Sequence, residues 1–471
     1  MKVLMVASEA APVLKLGGLG DVIGSLPKEL QKLGVDVDII IPYFPNAKTA
    51  GLDIFKSLDI EVPFANNVEL VSIFKTKLPN SEVDVLLIKS ANYFDSYQQA
   101  AFANNISETE VFTFFSACVV EYIKTKYNTY DVVHCNDWHT GLITHLLEDA
   151  LGVERPGTLF TIHNLMYQGE GDAKIIQEVG IVPGEHRQID EDIKDGTLNL
   201  ISQGIMSSDF VTTVSPTYAK EILTEEFGKN MTDVLRAREG RLSGILNGVD
   251  YSAFPRNYDV TDYEESKHLK KIDLQNKLNL SRSDTPIFSF VSRLDPYQKG
   301  LDILYEVVPD ILEKGGQFVL LGSGNEEWEK KFIDLMRKYE SGRNISVNIK
   351  FNVDLANDIY MGSDFFLVPS RYEPCGLTQM ISMWYGTLPI VHGVGGLKDS
   401  VDHAVNGFVF DGYVATNLLK AVNKGFDVYS KPVDRDLMIK HAMRSDFSWK
   451  SSAEKYLDIY KKIVKFRNLN L

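Results

Sequence analysis

Short β-branched apolar runs alternate with stretches of helical period along almost the whole chain. Strands are predicted at Lys2–Val6, Val37–Ile41, Val83–Ile88, Val132–His134, Leu159–Ile162 and Phe210–Val214. A helix over Gly20–Lys32 follows the first of them, with Gly34 placed to end it. The pattern pauses at the NGVD of Asn247–Asp250 and at a polar stretch, Tyr258–Lys271. It restarts with strands at Ile287–Val291, Gln317–Leu320, Val347–Phe351, Phe365–Val368 and Leu388–Val391, and a helix over Leu301–Glu313. Such alternation predicts parallel sheets joined by crossover helices. The expectation is an α/β chain of two doubly wound domains joined near Asp250, with a cleft between them of the kind that holds ligands. The last segment, Phe447–Val464, places Trp449, Ala453, Tyr456, Leu457, Tyr460 and Ile463 at helical spacing. Its pattern is compatible with capping the second domain or crossing back to the first.

Composition narrows the class. The 471 residues suit two or three domains, and a hydrophobic fraction of 44% is enough for sizeable cores. Lys and Arg number 49 against 64 Asp and Glu, a net charge of −15, which argues against nucleic acid or an anionic membrane as general partners. Cys118, Cys135 and Cys375 have no spacing suited to zinc, and so sparse a set fits a reducing compartment. The N-terminus shows no secretory pattern, and no run reaches the ~20 apolar residues that span a bilayer. A cytoplasmic protein is expected, or one of the plastid stroma had a transit peptide been removed.

Candidate chemistry gathers at strand ends, where open α/β sheets bind ligands. Ser8-Glu9 leads into KLGGLGD, Lys15–Asp21, where tandem glycines before a helix let the backbone approach a phosphate or sugar, and where Lys15 adds a charge. The spacing is not G-x-G-x-x-G. His134, Asp137, Trp138 and His139 cluster after another strand; hydroxyl binding by Asp137, with Trp138 as an apolar platform, competes there with a metal site that lacks an evident third and fourth ligand. His163 and Asn164 end the next strand. A neutral histidine there can bond a substrate hydroxyl or be satisfied by nearby backbone. In the second half, Arg293 and Lys299 lie in one strand-end loop. They suit a leaving diphosphate, although isolated pairs of this kind are usually solvated. Leu321–Gly324 again permits close backbone approach, and Phe351 could pack on a nucleotide base or belong to the core. After Phe365–Val368, a lone carboxylate, Glu373, precedes Gly376 and a helical pattern opening at Leu377. A carboxylate beside an anion site at a helix mouth fits a sugar attached to phosphate.

Taken together these motifs resemble the bacterial glycogen synthase and plant starch synthase family. The matches are KLGGLGDV, DWHTGL, IHNLMYQG, VSPTYAKEI and GILNGVD in the first half, then SRL with QKGLD, PSRYEPCGLTQ, YGTLPIV, GGLKDSV, NGFVF and DFSW, in family order. The resemblance implies the GT-B architecture: two Rossmann-like domains, residues 1–250 and 251–446, facing across a deep cleft, with the terminal helix 447–471 returning to the first. It implies transfer of glucose, with retention, from a nucleotide diphosphate sugar to the non-reducing 4-hydroxyl of an α-1,4-glucan. ADP-glucose is the expected donor and UDP-glucose the nearest rival. By matching position Arg293 and Lys299 stabilise the leaving diphosphate, Glu373 and His163 hold glucose hydroxyls, and Lys15 lies near the phosphates. Gly17, Gly18, Gly324, Phe351, Tyr372, Cys375, Gly376, Leu377 and Thr378 are expected on the nucleotide-sugar side, and Glu9, Asp21, Asp137, Asn164 and Asn199 on the acceptor or sugar side. No metal or cofactor is expected, because cations, helix dipoles and backbone N–H groups can neutralise a diphosphate.

The chain departs from the family pattern in places. Ser202-Gln203-Gly204 stands where Lys-Gly-Gly or Lys-Ala-Gly is usual, so a cation is lost. The loop SRLDPYQKG holds one more residue between Arg293 and Lys299 than usual. Asn357 replaces a usual His, and His392 a usual Arg. A glucan-binding relative without turnover is the rival from another class, and the diphosphate cations speak against it. A pyridoxal-dependent phosphorylase would require a different motif set.

Overall fold

The apolar runs at Val3–Val6, Val132–Cys135 and Leu159–Ile162 are buried throughout, as strands covered by helices on both faces must be. The structure is a computed structural model that describes residues 1–95, 97–98, 101–102 and 106–470. The chain divides into two units. One comprises Met1–Val214, Ala219–Gly248 and Trp449–Leu471, and the other Ser215–Tyr218 and Val249–Ser448.

Among the described residues the first unit is built on a nine-stranded sheet. In chain order its strands are β1 (Lys2–Val6), β2 (Asp36–Pro42), β3 (Phe55–Phe64), β4 (Asn67–Lys77), β5 (Asp84–Lys89), β6 (Val132–Asn136), β7 (Gly157–Ile162), β8 (Phe210–Thr213) and β9 (Leu242–Gly244). The spatial order is β9-β8-β7-β6-β1-β2-β5-β4-β3. Pairing is parallel from β9 to β5, and β4 and β3 close the edge as an antiparallel arm. That arm is absent from the sequence expectation. Ile60, Val62 and Phe64 alternate with Glu61 and Pro63 and bury one face of β3, and Val71 and Ile73 are buried on β4.

The terminal helix runs over Trp449–Asn470 and packs within this first unit. Tyr460 Oη lies 2.8 Å from His134 Nδ1 on β6, and Arg467 donates to the carbonyl of Val153 at 2.6 Å. The helix after β1 spans Gly18–Lys32, two residues longer at its start than predicted. Beyond it Gly34 takes φ +81° and donates to Gln31, so it closes the helix end as expected.

The second unit holds a six-stranded parallel sheet of β10 (Ile287–Val291), β11 (Gln317–Gly322), β12 (Ile345–Ile349), β13 (Phe365–Val368), β14 (Leu388–His392) and β15 (Phe408–Phe410), in the order β12-β11-β10-β13-β14-β15. The order reverses at β10–β13, so the loops after these central strands flank a switch point, where ligands bind in such sheets. Here β12 ends at Ile349, not at Phe351 as predicted, and the Phe351 ring lies outside the core at 88% exposure. Thr217 donates to Asp399 through both its N–H, at 2.8 Å, and its hydroxyl, at 2.6 Å, which ties the Ser215–Tyr218 segment to this unit.

Candidate active site

In the first unit, Glu9 follows β1 and is buried. Its Oε2 accepts from the backbone N–H of Leu16 and, at 2.8 Å, from that of Gly17, and the carboxylate also takes the N–H of Gly20. Burial raises its pKa, and these N–H bonds oppose the rise. Glu9 therefore organises the glycine loop through Oε2. Lys15 and Asp21, expected on different sides of the substrate, pair with each other at 2.7 Å across a half-exposed surface. Gly18 begins the helix and faces open space.

After β6 the backbone of Asp137 takes φ +61°, an unusual geometry for a residue with a side chain, and turns the carboxylate inward. Its Oδ1 accepts from the N–H of His163 at 3.2 Å, with a further backbone bond from Asn164. Burial pushes its pKa up to about 7. Asp137 thus holds the turn after β7 that carries His163 and Asn164. The His163 ring bonds Asn136 Oδ1 through Nε2 at 3.0 Å, and burial pushes its pKa down to about 3. Asn164 Oδ1 accepts from Met166 N–H at 3.1 Å.

One expectation here is corrected, and two further side chains find partners within the fold. Trp138 is not an open platform: it is 8% exposed, stacked on His139 at 4.0 Å and met edge-on by Phe112 at 5.1 Å. His134 is no metal ligand, because its two ring nitrogens are spent on Tyr460 and on Thr161 Oγ1, the latter at 2.7 Å. Among the described residues no His, Cys, Asp and Glu group is arranged to hold a metal ion. Asn199, buried at 9% exposure, caps the helix Leu200–Ser207 by accepting from Ser202 N–H at 3.0 Å, and its amide donates to Gln168 at 2.6 Å. Gln203, next to the position of the lost cation, points its amide at Asp192 Oδ2, 2.6 Å away, where the backbone N–H of Asn199 also bonds at 2.9 Å.

In the second unit the longer loop resolves itself locally. Asp295 Oδ1 accepts from the N–H groups of Tyr297 and Gln298 at 2.9 and 3.1 Å, a turn inside the Arg293–Lys299 loop. Lys299 then reaches Glu373 Oε2 at 2.7 Å. Ser370 Oγ donates to the same oxygen at 2.9 Å. Both donors converge on Oε2 of a carboxylate that is only 8% exposed as a residue. Lys299, Glu373, Gly376, Leu377 and Thr378 line one small cavity with Ser292 and Ser370, beneath the ends of β10 and β13. Arg293 is exposed and forms no ion pair among the described residues.

The loop is held by its neighbours. Gly376 sits at φ +70°, a conformation glycine adopts without cost, and its carbonyl is held by Gln379 Nε2 at 2.9 Å. Gly395, at φ +45°, lies so close that a Cβ there would be 1.9 Å from the carbonyl oxygen of Glu373. The GGLKD motif is therefore a docking surface for the Glu373 backbone. His392 Nδ1 lies 2.8 Å from the Ser370 carbonyl, so the residue replacing the usual Arg bonds the backbone of Ser370. Tyr372 and Cys375 are buried in this loop. The helix Thr378–Trp384 starts with no side-chain cap, which leaves its first N–H groups for another acceptor. Gly324 differs: its N–H is taken by Glu329 at 2.8 Å, and its backbone bridges to Leu294. Asn357 is half-buried within the helix Val353–Gly362.

Ser370, Asn136 and Gln379 escaped the sequence reading. Each lies inside a quoted motif or beside one, yet serine, asparagine and glutamine carry no charge to mark them, and their roles arise from bonds to residues already named.

Residues 2–237 match the starch synthase catalytic domain model, and residues 271–435 match the glycosyl transferases group 1 model. A glycogen synthase from Pseudothermotoga lettingae is 41% identical over 494 aligned residues, covering 99% of each chain. The catalytic domain of starch synthase IV from Arabidopsis thaliana, solved bound to ADP and acarbose, superposes with a TM-score of 0.88 at 30% identity, over 98% of this chain and 99% of that one. A sucrose-phosphate synthase from Thermosynechococcus elongatus, at 19% identity and a TM-score of 0.61 over 98% of each chain, shares the fold. With two Rossmann-like units of the GT-B kind and family matches along nearly its whole length, the chain belongs to the glycogen synthase and starch synthase family of glycosyltransferases.

Proposed function

We propose that this chain transfers glucose from ADP-glucose, with retention at the anomeric carbon, to the non-reducing 4-hydroxyl of an α-1,4-glucan, and that it does so without metal or cofactor. The observation that carries the reading is the Glu373 site: Lys299 and Ser370 hold one carboxylate oxygen beside an uncapped helix start, in a single cavity. Oε1 of Glu373 then accepts glucose hydroxyls, while the first N–H groups at Leu377 and Thr378 take phosphate oxygens. Lys299 and the exposed Arg293 offset the charge that grows on the diphosphate as the glycosidic bond breaks. His163 bonds the 6-hydroxyl, and Gly18 and Lys15 lie on the phosphate side. The second unit is the nucleotide-sugar side and the first the acceptor side. The open Phe351 ring is suited to stacking on the base.

The step is a front-face displacement. The bond from the anomeric carbon to the diphosphate oxygen breaks as the acceptor oxygen adds on the same face, and the acceptor proton passes to the departing phosphate. Glu373 positions the sugar and stabilises its developing positive charge without bonding to it. ADP is preferred over UDP because the starch synthase relative was solved with ADP. Purified protein with glycogen and either ADP-glucose or UDP-glucose tests the reading, through nucleotide release and chain extension. Turnover with ADP-glucose and new α-linkages are expected. Folded protein that turns over neither donor would overturn it.

A further inference from the structure

Asn136, the last residue of β6, is buried at 1% exposure, and its amide has no freedom of assignment. The nitrogen lies 3.1 Å from the carbonyl oxygen of Val6 and 3.1 Å from that of His134. Carbonyls only accept, so both amide hydrogens are committed to the backbone. The remaining amide oxygen faces Nε2 of His163 at 3.0 Å. An amide oxygen cannot donate, so the hydrogen of that bond belongs to the imidazole. A neutral imidazole carries one hydrogen, which leaves Nδ1 as a bare lone pair.

We propose that Asn136 is a positioning residue which fixes His163 as the Nε2–H tautomer, so that Nδ1 meets the transferred sugar as a hydrogen-bond acceptor only. The sugar hydroxyl must then donate to His163, and the ring is held in plane for it before substrate arrives. The surrounding groups do not compete for the proton. Asp137 faces the backbone N–H groups of His163 and Asn164, and His134 is saturated by Tyr460 and Thr161. His139 is buried, and its charged form is disfavoured there. The catalytic consequence rests on the proposed glucosyl transfer, whereas the tautomer does not.

The test uses full-length protein with ¹⁵N-labelled histidine, His163 being assigned by comparison with His163→Gln. Long-range proton–nitrogen correlation on the free enzyme reports which ring nitrogen is protonated. Protonated Nε2 with unprotonated Nδ1 is expected. Asn136→Leu removes the oxygen and should give a tautomer mixture, with kcat down about ten- to a hundred-fold and donor KM little changed, a supporting-residue effect. Asn136→Asp keeps the oxygen that faces Nε2 but loses the amide hydrogens that serve the Val6 and His134 carbonyls; it should retain the Nε2–H form, and a proton on Nδ1 in this variant would overturn the assignment if the leucine protein does not fold. Wild-type His163 protonated at Nδ1, or a leucine variant with unchanged tautomer and kcat, overturns the assignment. The spectra need no turnover, so a folded but inactive chain with Nε2–H His163 would overturn the proposed reaction and not this inference.

Discussion

Glu373 shows how one side chain is divided between structure and chemistry. Lys299 and Ser370 both bind Oε2, so the carboxylate is oriented by its own unit before any ligand arrives. Preorganisation of this kind is worth most where charge develops late in the reaction. Glu373→Ala is accordingly expected to lower kcat by about 10²–10³-fold while circular dichroism stays that of the wild type. Near-normal turnover would remove Glu373 from the site. Glu9 and Asn199 show the reverse, since their polar atoms are taken by backbone N–H groups and by Gln168. A sequence marks a carboxylate or an amide at a strand end, but which acceptor it serves depends on groups placed by folding.

At the scale of elements, short motifs act by docking on one another. The Gly395 turn lies against the carbonyl of Glu373, and a Cβ at Gly395 would sit 1.9 Å from that oxygen. Gly395→Ala must therefore displace the Glu373 loop. Both a lower kcat and a melting temperature reduced by several degrees are expected, and an unchanged variant would show that the loop tolerates the shift. The terminal helix is tied to β6 by the Tyr460–His134 bond, which continues through Thr161 to Thr212 at 2.6 Å. Tyr460→Phe leaves a buried ring nitrogen unpaired and should cost about 1–3 kcal/mol, read by denaturant unfolding. No loss of stability would mean that the nitrogen finds another partner.

At the scale of the molecule, buried imidazoles set the response to acid. Burial pushes His134, His139 and His163 down to about 3, and His145 to about 4, all within the first unit. Depressed histidines contribute stability that is present above their ordinary pKa of about 6.5 and lost as pH falls toward the folded value. Asp137 has the opposite sign: raised to about 7, it contributes below the ordinary Asp pKa, and that contribution is lost as pH rises through 7. Glu9 and Asp192, also raised by burial, act in the same sense as Asp137 at the acid end. Between about pH 6.5 and 5 the four imidazoles outweigh Asp137, so the first unit should lose stability steadily on acidification. Melting temperature against pH measures this, and a flat profile over that range would show that these rings reach water in the native state. Parallel α/β character, most central strands and the Glu373 loop were legible in the sequence, because continuous apolar runs and glycine–carboxylate motifs are local signals. The β3–β4 arm was not, although Ile60, Val62 and Phe64 alternate as a strand with one buried face does, because an antiparallel pair breaks the strand–helix rhythm of the rest of the chain, nor was the exposure of Phe351, which hinges on where β12 stops. The sequence by itself determined the family, the α/β class and which residues carry charge near the strand ends. Only the tertiary structure decided that Lys299 and Ser370 share one oxygen of Glu373, that Glu9 serves the glycine loop and that Asn136 orients His163. Those are contacts between residues brought together by the sheet, and hydrogen-bond partnership is a property of distance in space that no local pattern encodes.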